Sequence, residues 1–171
     1  MSKVKSVFEY STISLSVIML AGFFNAQAQA SVRCKHFDLT SYVTFLGPDG
    51  PAVGNAEATF KHGVILPISA TSEVTSTTTN EDGSIDMRVR ELDDWDTFGS
   101  TIGIDTVKLI PTEIPGEFAL SIKTYILGES GHLEDAFGLY KGTGTASFND
   151  GTLTHSGKGT ICNFRKKHVA H

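Results

Sequence analysis

The chain is poor in the residues that usually announce chemistry. It holds two cysteines, one tryptophan and five prolines in 171 residues. No apolar run reaches the ~20 residues that a helix needs to cross a bilayer. With only Cys34 and Cys162, no Cys-x-x-Cys pair exists, which argues against redox catalysis. No segment sustains helical periodicity over three turns, which excludes a helical bundle. Gly-x-Ser-x-Gly and His-Glu-x-x-His are absent. Gly157-Lys158-Gly159-Thr160 fails as a phosphate loop, because no Ser or Thr follows Lys158 directly and no helix follows the glycines. Basic residues are also scarce, 14 against 19 acidic, for a net charge of −5. That balance argues against nucleic acid and anionic membrane as partners. The one contiguous basic cluster is Arg165-Lys166-Lys167-His168 at the C-terminus.

The first thirty residues read as a secretory signal peptide rather than as part of the fold. Lys3 and Lys5 precede the short apolar run Ile13–Phe24, and Ala26-Gln-Ala28 and Ala28-Gln-Ala30 fit a small-residue cleavage site. The expectation is export to the periplasm or outside the cell, without stable membrane insertion after cleavage. Residues 31–163 then form one domain, and 164–171 a basic tail. In an oxidising compartment Cys34 and Cys162 are expected to pair, the alternative being two free thiols. The bridge would close a loop of most of the domain, worth roughly 4–5 kcal/mol in the chain-entropy model.

Between the cysteines the pattern is strands and turns. Phe37–Leu46 runs into the turn cluster Gly47-Pro-Asp-Gly-Pro51, and Ala56–Lys61 alternates. Val64–Pro67 is apolar, with a proline that favours a strand end or edge. Thr71–Thr79 and Ser84–Arg90 read as a hairpin, the latter with Ile85, Met87 and Val89 on one face. Glu91–Phe98 breaks the rhythm. Ile102–Ile110 and Phe118–Ile126 are strands, and His132–Phe137 is a short strand or a helical turn. The predicted fold is an all-β antiparallel barrel of about eight strands, with a β-sandwich as the alternative.

The closing hairpin is the strongest local signal. Asp150-Gly151 as a two-residue turn would set Asn149 opposite Thr152, Phe148 opposite Leu153 and Ala146 opposite His155. Gly144 would then face Gly157, and Gly142 would face Gly159. Paired glycines on an apolar face either let the sheet coil tightly or leave a floor for a ligand. Curvature is the favoured reading. A ligand there would touch Tyr140, Gly142, Gly144, Phe148, His155, Gly157 and Gly159. An empty lumen predicts an apolar lining that includes Phe118, Leu120, Ile122, Leu153 and Ile161.

Other candidates carry less. Glu91, Asp93, Asp94 and Asp96 could offer oxygens to Ca²⁺, but they lack the EF-hand spacing and its glycine, so no metal is assigned. Trp95, in the same segment, is expected to fold over the core. His155 needs a partner on its apolar face, and His132 lies beside Glu134 and Asp135; either is an acid–base candidate only if it shares a cavity with a carboxylate. His36, His62, His168 and His171 show no zinc spacing. No cofactor is called for.

Gly131-His-Leu133, Ala136-Phe-Gly138, Gly142-Thr-Gly144 and the glycine-rich last strand resemble the C-terminal part of allene oxide cyclase/dirigent-like barrels. The resemblance covers about the last forty residues. It implies an eight-stranded antiparallel barrel around an apolar cavity, in a superfamily that binds or cyclises oily or phenolic molecules. Glu129-Ser130 and Glu134-Asp135 depart from its small residues, and no family catalytic residue maps onto this chain. The chain also resembles small exported bacterial β-domains. The functional expectation is a barrel that holds a small hydrophobic molecule. A filled structural or interaction module and a cyclase-like enzyme are the alternatives, with an enzyme less favoured than a binder.

Overall fold

A computed structural model describes residues 32–45 and 51–164. The chain divides after Ser31, and everything below concerns the second unit. Residues 1–31, where a signal peptide is expected, most of the Gly47–Pro51 turn and the basic residues Arg165–His168 lie outside the described residues.

Eight antiparallel strands form a closed up-and-down barrel. They are β1 (Cys34–Phe45), β2 (Ala52–Phe60), β3 (Ile65–Thr79), β4 (Ile85–Asp94), β5 (Ser100–Pro111), β6 (Glu117–Gly128), β7 (Phe137–Ser147) and β8 (Thr152–Cys162). Alternation decides what faces in: Phe37, Ala58, Ile68, Val107, Leu120 and Ile161 are among the buried side chains. Arg88, Arg90, Lys108, Lys141 and Lys158 are exposed on the outer wall. Exposed apolar side chains, among them Val53, Ile104 and Leu127, stand on the outside with them. Among the described residues, no helix is long and apolar enough to cross a membrane.

The barrel closes where β1 meets β8, from Cys34 opposite Cys162 to Thr44 opposite Thr152. Cys34 and Cys162 are disulfide-bonded, so a covalent bond fastens the seam at one end.

Three expectations are corrected. Val64–Pro67 and Thr71–Thr79 are not separate strands but one, β3, because Leu66, Ile68 and Ala70 carry a single inward face across the gap. Pro67 sits inside it, opposite Glu57 of β2. Pairing with β4 starts only at Ser69, so the proline lies where one side of β3 has no ladder to lose. Glu91–Asp94 continues β4 rather than breaking it. Of the two readings of His132–Phe137 the turn is found, as one 3₁₀ turn at Gly131–Leu133 ahead of the start of β7.

The third correction is the closing hairpin. Ser147, not Asn149, stands opposite Thr152, so the loop has four residues, Phe148 to Gly151. The pairs become Ala146 with Leu153, Gly144 with His155, Gly142 with Gly157 and Tyr140 with Gly159. Neither expected glycine pair forms, and Gly142 with Gly157 is the one glycine pair between these strands. The loop is drawn wider by the β5–β6 turn beside it: Phe148 N donates to Gly116 O at 2.8 Å, and Asn149 Nδ2 to Pro115 O at 2.9 Å. Inside the loop, Ser147 Oγ donates to Asp150 Oδ2 at 2.9 Å. A slip of two residues keeps every side chain on its expected face.

The glycines serve close packing. A Cβ at Gly144 would stand 1.9 Å from Thr154 O, and one at Gly157 2.0 Å from Lys141 O. Those strands approach too closely for any side chain, which is the curvature reading. Gly142 and Gly159 instead lie under rings, those of Tyr140 and Phe37.

Candidate functional site

The two ends of the lumen are unlike. At the disulfide end the space is filled. Trp95 is only 2 % exposed and meets Phe37 edge-on at 6.1 Å, and Phe37 packs on Phe60 at 5.6 Å. Phe164, expected to open the tail, packs on Phe60 and Phe98. At the other end a cavity of ≈ 90 Å³ opens between Val74, Met87, Leu109 and Phe148. It reaches down to Glu91, Asp105 and His155. A second void of ≈ 40 Å³ lies below, again touching Glu91 and His155, with Asp93 and Tyr140.

The walls of the upper cavity are apolar, and its floor is acidic. The inward alternation of β4 continues through its acidic end, so Glu91 and Asp93 point into the barrel while Asp94 is exposed. Asp96, beyond the strand, is exposed too. The Ca²⁺ candidates are therefore split between inside and outside. Among the described residues no group of three or more His, Cys, Asp or Glu is arranged to hold a metal ion. Asp105 joins from β5, buried at 3 % exposure. Gly103, opposite Glu91, makes room for it: a Cβ there would lie 3.3 Å from Glu91 Cβ.

Hydrogen bonds tie most of this cluster to the filled end. Trp95 Nε1 donates to Thr101 Oγ1 at 2.9 Å, and Thr101 Oγ1 donates to Asp93 Oδ2 at 3.2 Å. The Thr124 hydroxyl bonds the Asp105 carboxylate. Asp105 Oδ1 has no hydrogen-bond partner among the described residues. Tyr140 Oη and His155 Nδ1 share a hydrogen bond of 2.8 Å.

Burial sets the charge states. Desolvation, then the Asp105 charge, pushes Asp93 up to about 7. Desolvation pushes Asp105 up to about 6 against the opposing Thr124 hydrogen bond. Glu91 is raised well above the carboxylate range by desolvation and by its acidic neighbours. Desolvation lowers His155 to about 4, so it is neutral at pH 7. The Tyr140 hydroxyl is raised for the same reason and remains protonated. Each shift favours the uncharged form.

Of the expected ligand-touching residues, Phe148 and His155 line the upper cavity, and Tyr140 and His155 the lower. Gly142, Gly144, Gly157 and Gly159 line neither. From the expected lining, Ile122 and Leu153 reach the upper cavity, whereas Leu120 and Ile161 are buried in the packed core. His132 is away from the lumen, its ring against Phe98. His155 does share a cavity with carboxylates.

Sequence reasoning missed Glu91 and Asp105 as lumen residues. The signal was parity: Ile85, Met87 and Val89 continue to residues 91, 93 and 95, and Val107 and Leu109 back to 105. It also missed a cationic row on the outer wall. Lys123 stands opposite Lys141, and Lys141 opposite Lys158, although the three are far apart in the chain.

No family model, no curated protein and no solved structure matches the chain.

Proposed function

We propose that this protein is an exported barrel that binds a small molecule in its lumen, apolar body toward the mouth and polar head on the floor. The observation that carries this is the asymmetry of the lumen: one end is packed with rings, and the other keeps a cavity with apolar walls over buried carboxyls. Ligand sites are typically concave and mostly apolar, with a few convergent polar groups. Half-buried Phe118 and Phe45 pack on Phe148 at the rim, so an entering apolar group meets rings first. The likeness to allene oxide cyclase/dirigent-like barrels points the same way. A cavity of ≈ 90 Å³ is small beside the usual ~300–1,000 Å³, so the ligand has few carbon atoms or leaves its tail in the open mouth.

The test is native mass spectrometry and solvent extraction of protein purified from its own host. A co-purifying small molecule that is absent from a Val74→Trp variant, blocked at the rim, supports binding. Protein that is empty in both forms supports the filled structural module instead. One observation favours a second reading, acid–base catalysis: neutral His155 shares the cavity with Glu91 and Asp105. Its Nδ1 is engaged by Tyr140; where Nδ1–H donates to Tyr140 Oη, Nε2 has the lone pair that could accept a proton, and where the Tyr140 hydroxyl donates to Nδ1, Nε2 carries the hydrogen and could only give one.

A further inference from the structure

The floor of the cavity is chemically one-sided. Glu91 and Asp93 come from β4 and Asp105 from β5; the other titratable groups facing them are Tyr140 on β7 and His155 on β8. β1, β2, β3 and β6 contribute uncharged side chains at this level, among them Ser41, Ala56, Ala70 and Thr124. No lysine or arginine of the described residues lines either void. Buried acids are ordinarily paired with a cation or fully hydrogen-bonded. Here Asp105 is 97 % buried, lines the cavity, and has an oxygen, Oδ1, with no partner.

We infer that the head group this lumen receives is an organic cation, a primary ammonium seated against Asp105 and Glu91 with its hydrocarbon in the mouth. The inference rests on the lumen-binding reading above and names its ligand class. An ammonium brings three donors and a positive charge, which serve the bare oxygen and the excess of acid together. A metal ion would need several oxygens converging, and the described residues offer no such group. The apolar walls suit an alkyl or aryl substituent, which a hydrated inorganic ion lacks. Below about pH 6 Asp105 holds a proton that an arriving ammonium must displace, and above it the ammonium meets a carboxylate with which it forms a charge-assisted hydrogen bond.

Calorimetric titration of the full chain with n-hexylammonium, 1-hexanol and Ca²⁺ separately, at pH 7.5 and low salt, tests this. Trp95, the only tryptophan, supplies an independent fluorescence readout. The expected result is hexylammonium bound about tenfold tighter than hexanol, the scale of one charge-assisted bond. Asp105→Asn should remove that preference and leave hexanol binding intact; should it not fold, Glu91→Gln serves the same purpose. Hexylammonium affinity should rise from pH 5 to pH 8 as the carboxyls ionise, while hexanol affinity stays level. Equal binding of both probes overturns the cation inference and leaves lumen binding standing. Binding of Ca²⁺ but not hexylammonium also overturns it. If neither organic probe binds, both readings fall.

Discussion

The disulfide end and the open end of this barrel are built from the same eight strands to opposite purposes. Phe37, Trp95, Leu133 and Ile161 at the first are at most 3 % exposed, and the Cys34–Cys162 bond locks the wall around them. Val74, Met87, Val89 and Leu153 at the second are only half-buried, although they face inward. β3 adds to the contrast. Its pairing with β2 ends at Ser72, while its pairing with β4 runs on to Thr79, so among the described residues its threonine-rich half has a strand on one side only. Stability is concentrated where the lumen is full, and the side chains with spare contact capacity gather where it is open.

The largest effect should come from the seam. Replacing both cysteines with alanine should cost on the order of 4–5 kcal/mol, since the bond spans 128 residues, measured by urea unfolding of both forms. A loss below about 1 kcal/mol would mean that the filled end holds without its staple. Next, Trp95→Ala should cost about 3–5 kcal/mol, as for any large buried ring. Val74→Ala at the open end should cost about 1 kcal/mol. Comparable losses at both positions would erase the distinction between the ends.

Acidity should separate them further. Asp93 and Asp105 have folded values, about 7 and about 6, above the ~3.9 of an unfolded aspartate. Their stabilising contribution is complete below ~4 and lost as pH rises through 6 to 7. His155, lowered to about 4, works in the opposite direction, adding stability from pH 4 to its ordinary ~6.5. Above ~6.5 the carboxyls act alone, so stability should fall between pH 6.5 and 8. Asp93→Asn should flatten that fall and be about 1–2 kcal/mol more stable than the parent at pH 8. An unchanged slope in this variant would show that Asp93 does not titrate there.

The smallest effect lies outside. Lys141 stands between Lys123 and Lys158, and like charges directly opposite are unfavourable. Lys141→Thr should gain a few tenths of a kcal/mol at low salt and nothing at high salt, by thermal unfolding at two ionic strengths.

Much of the wall was legible because a period of two is visible in a single strand: Ile85, Met87 and Val89, or Phe118, Leu120 and Ile122, declare their face without help. The register of the last hairpin was not. Asp150-Gly151 is a local signal, whereas Phe148 and Asn149 answer to Pro115 and Gly116 of another hairpin. The acidic floor was masked by composition. Glu91-Leu-Asp-Asp-Trp-Asp looks like a solvated loop until its alternate members are assigned to opposite faces. The lysine row was invisible for a different reason, since only the strand registers bring 123, 141 and 158 together.

The order of strands around the wall has a kinetic consequence. Seven of the eight pairings join neighbours in the chain, each able to form as a hairpin; the β1–β8 pairing alone must gather distant segments. Search entropy is therefore concentrated in one step, and that step should limit the rate of folding. Oxidation before collapse brings Cys34 beside Cys162 in the unfolded chain. A chain oxidised in advance should then refold faster than a reduced one, with little change in how fast its individual hairpins form.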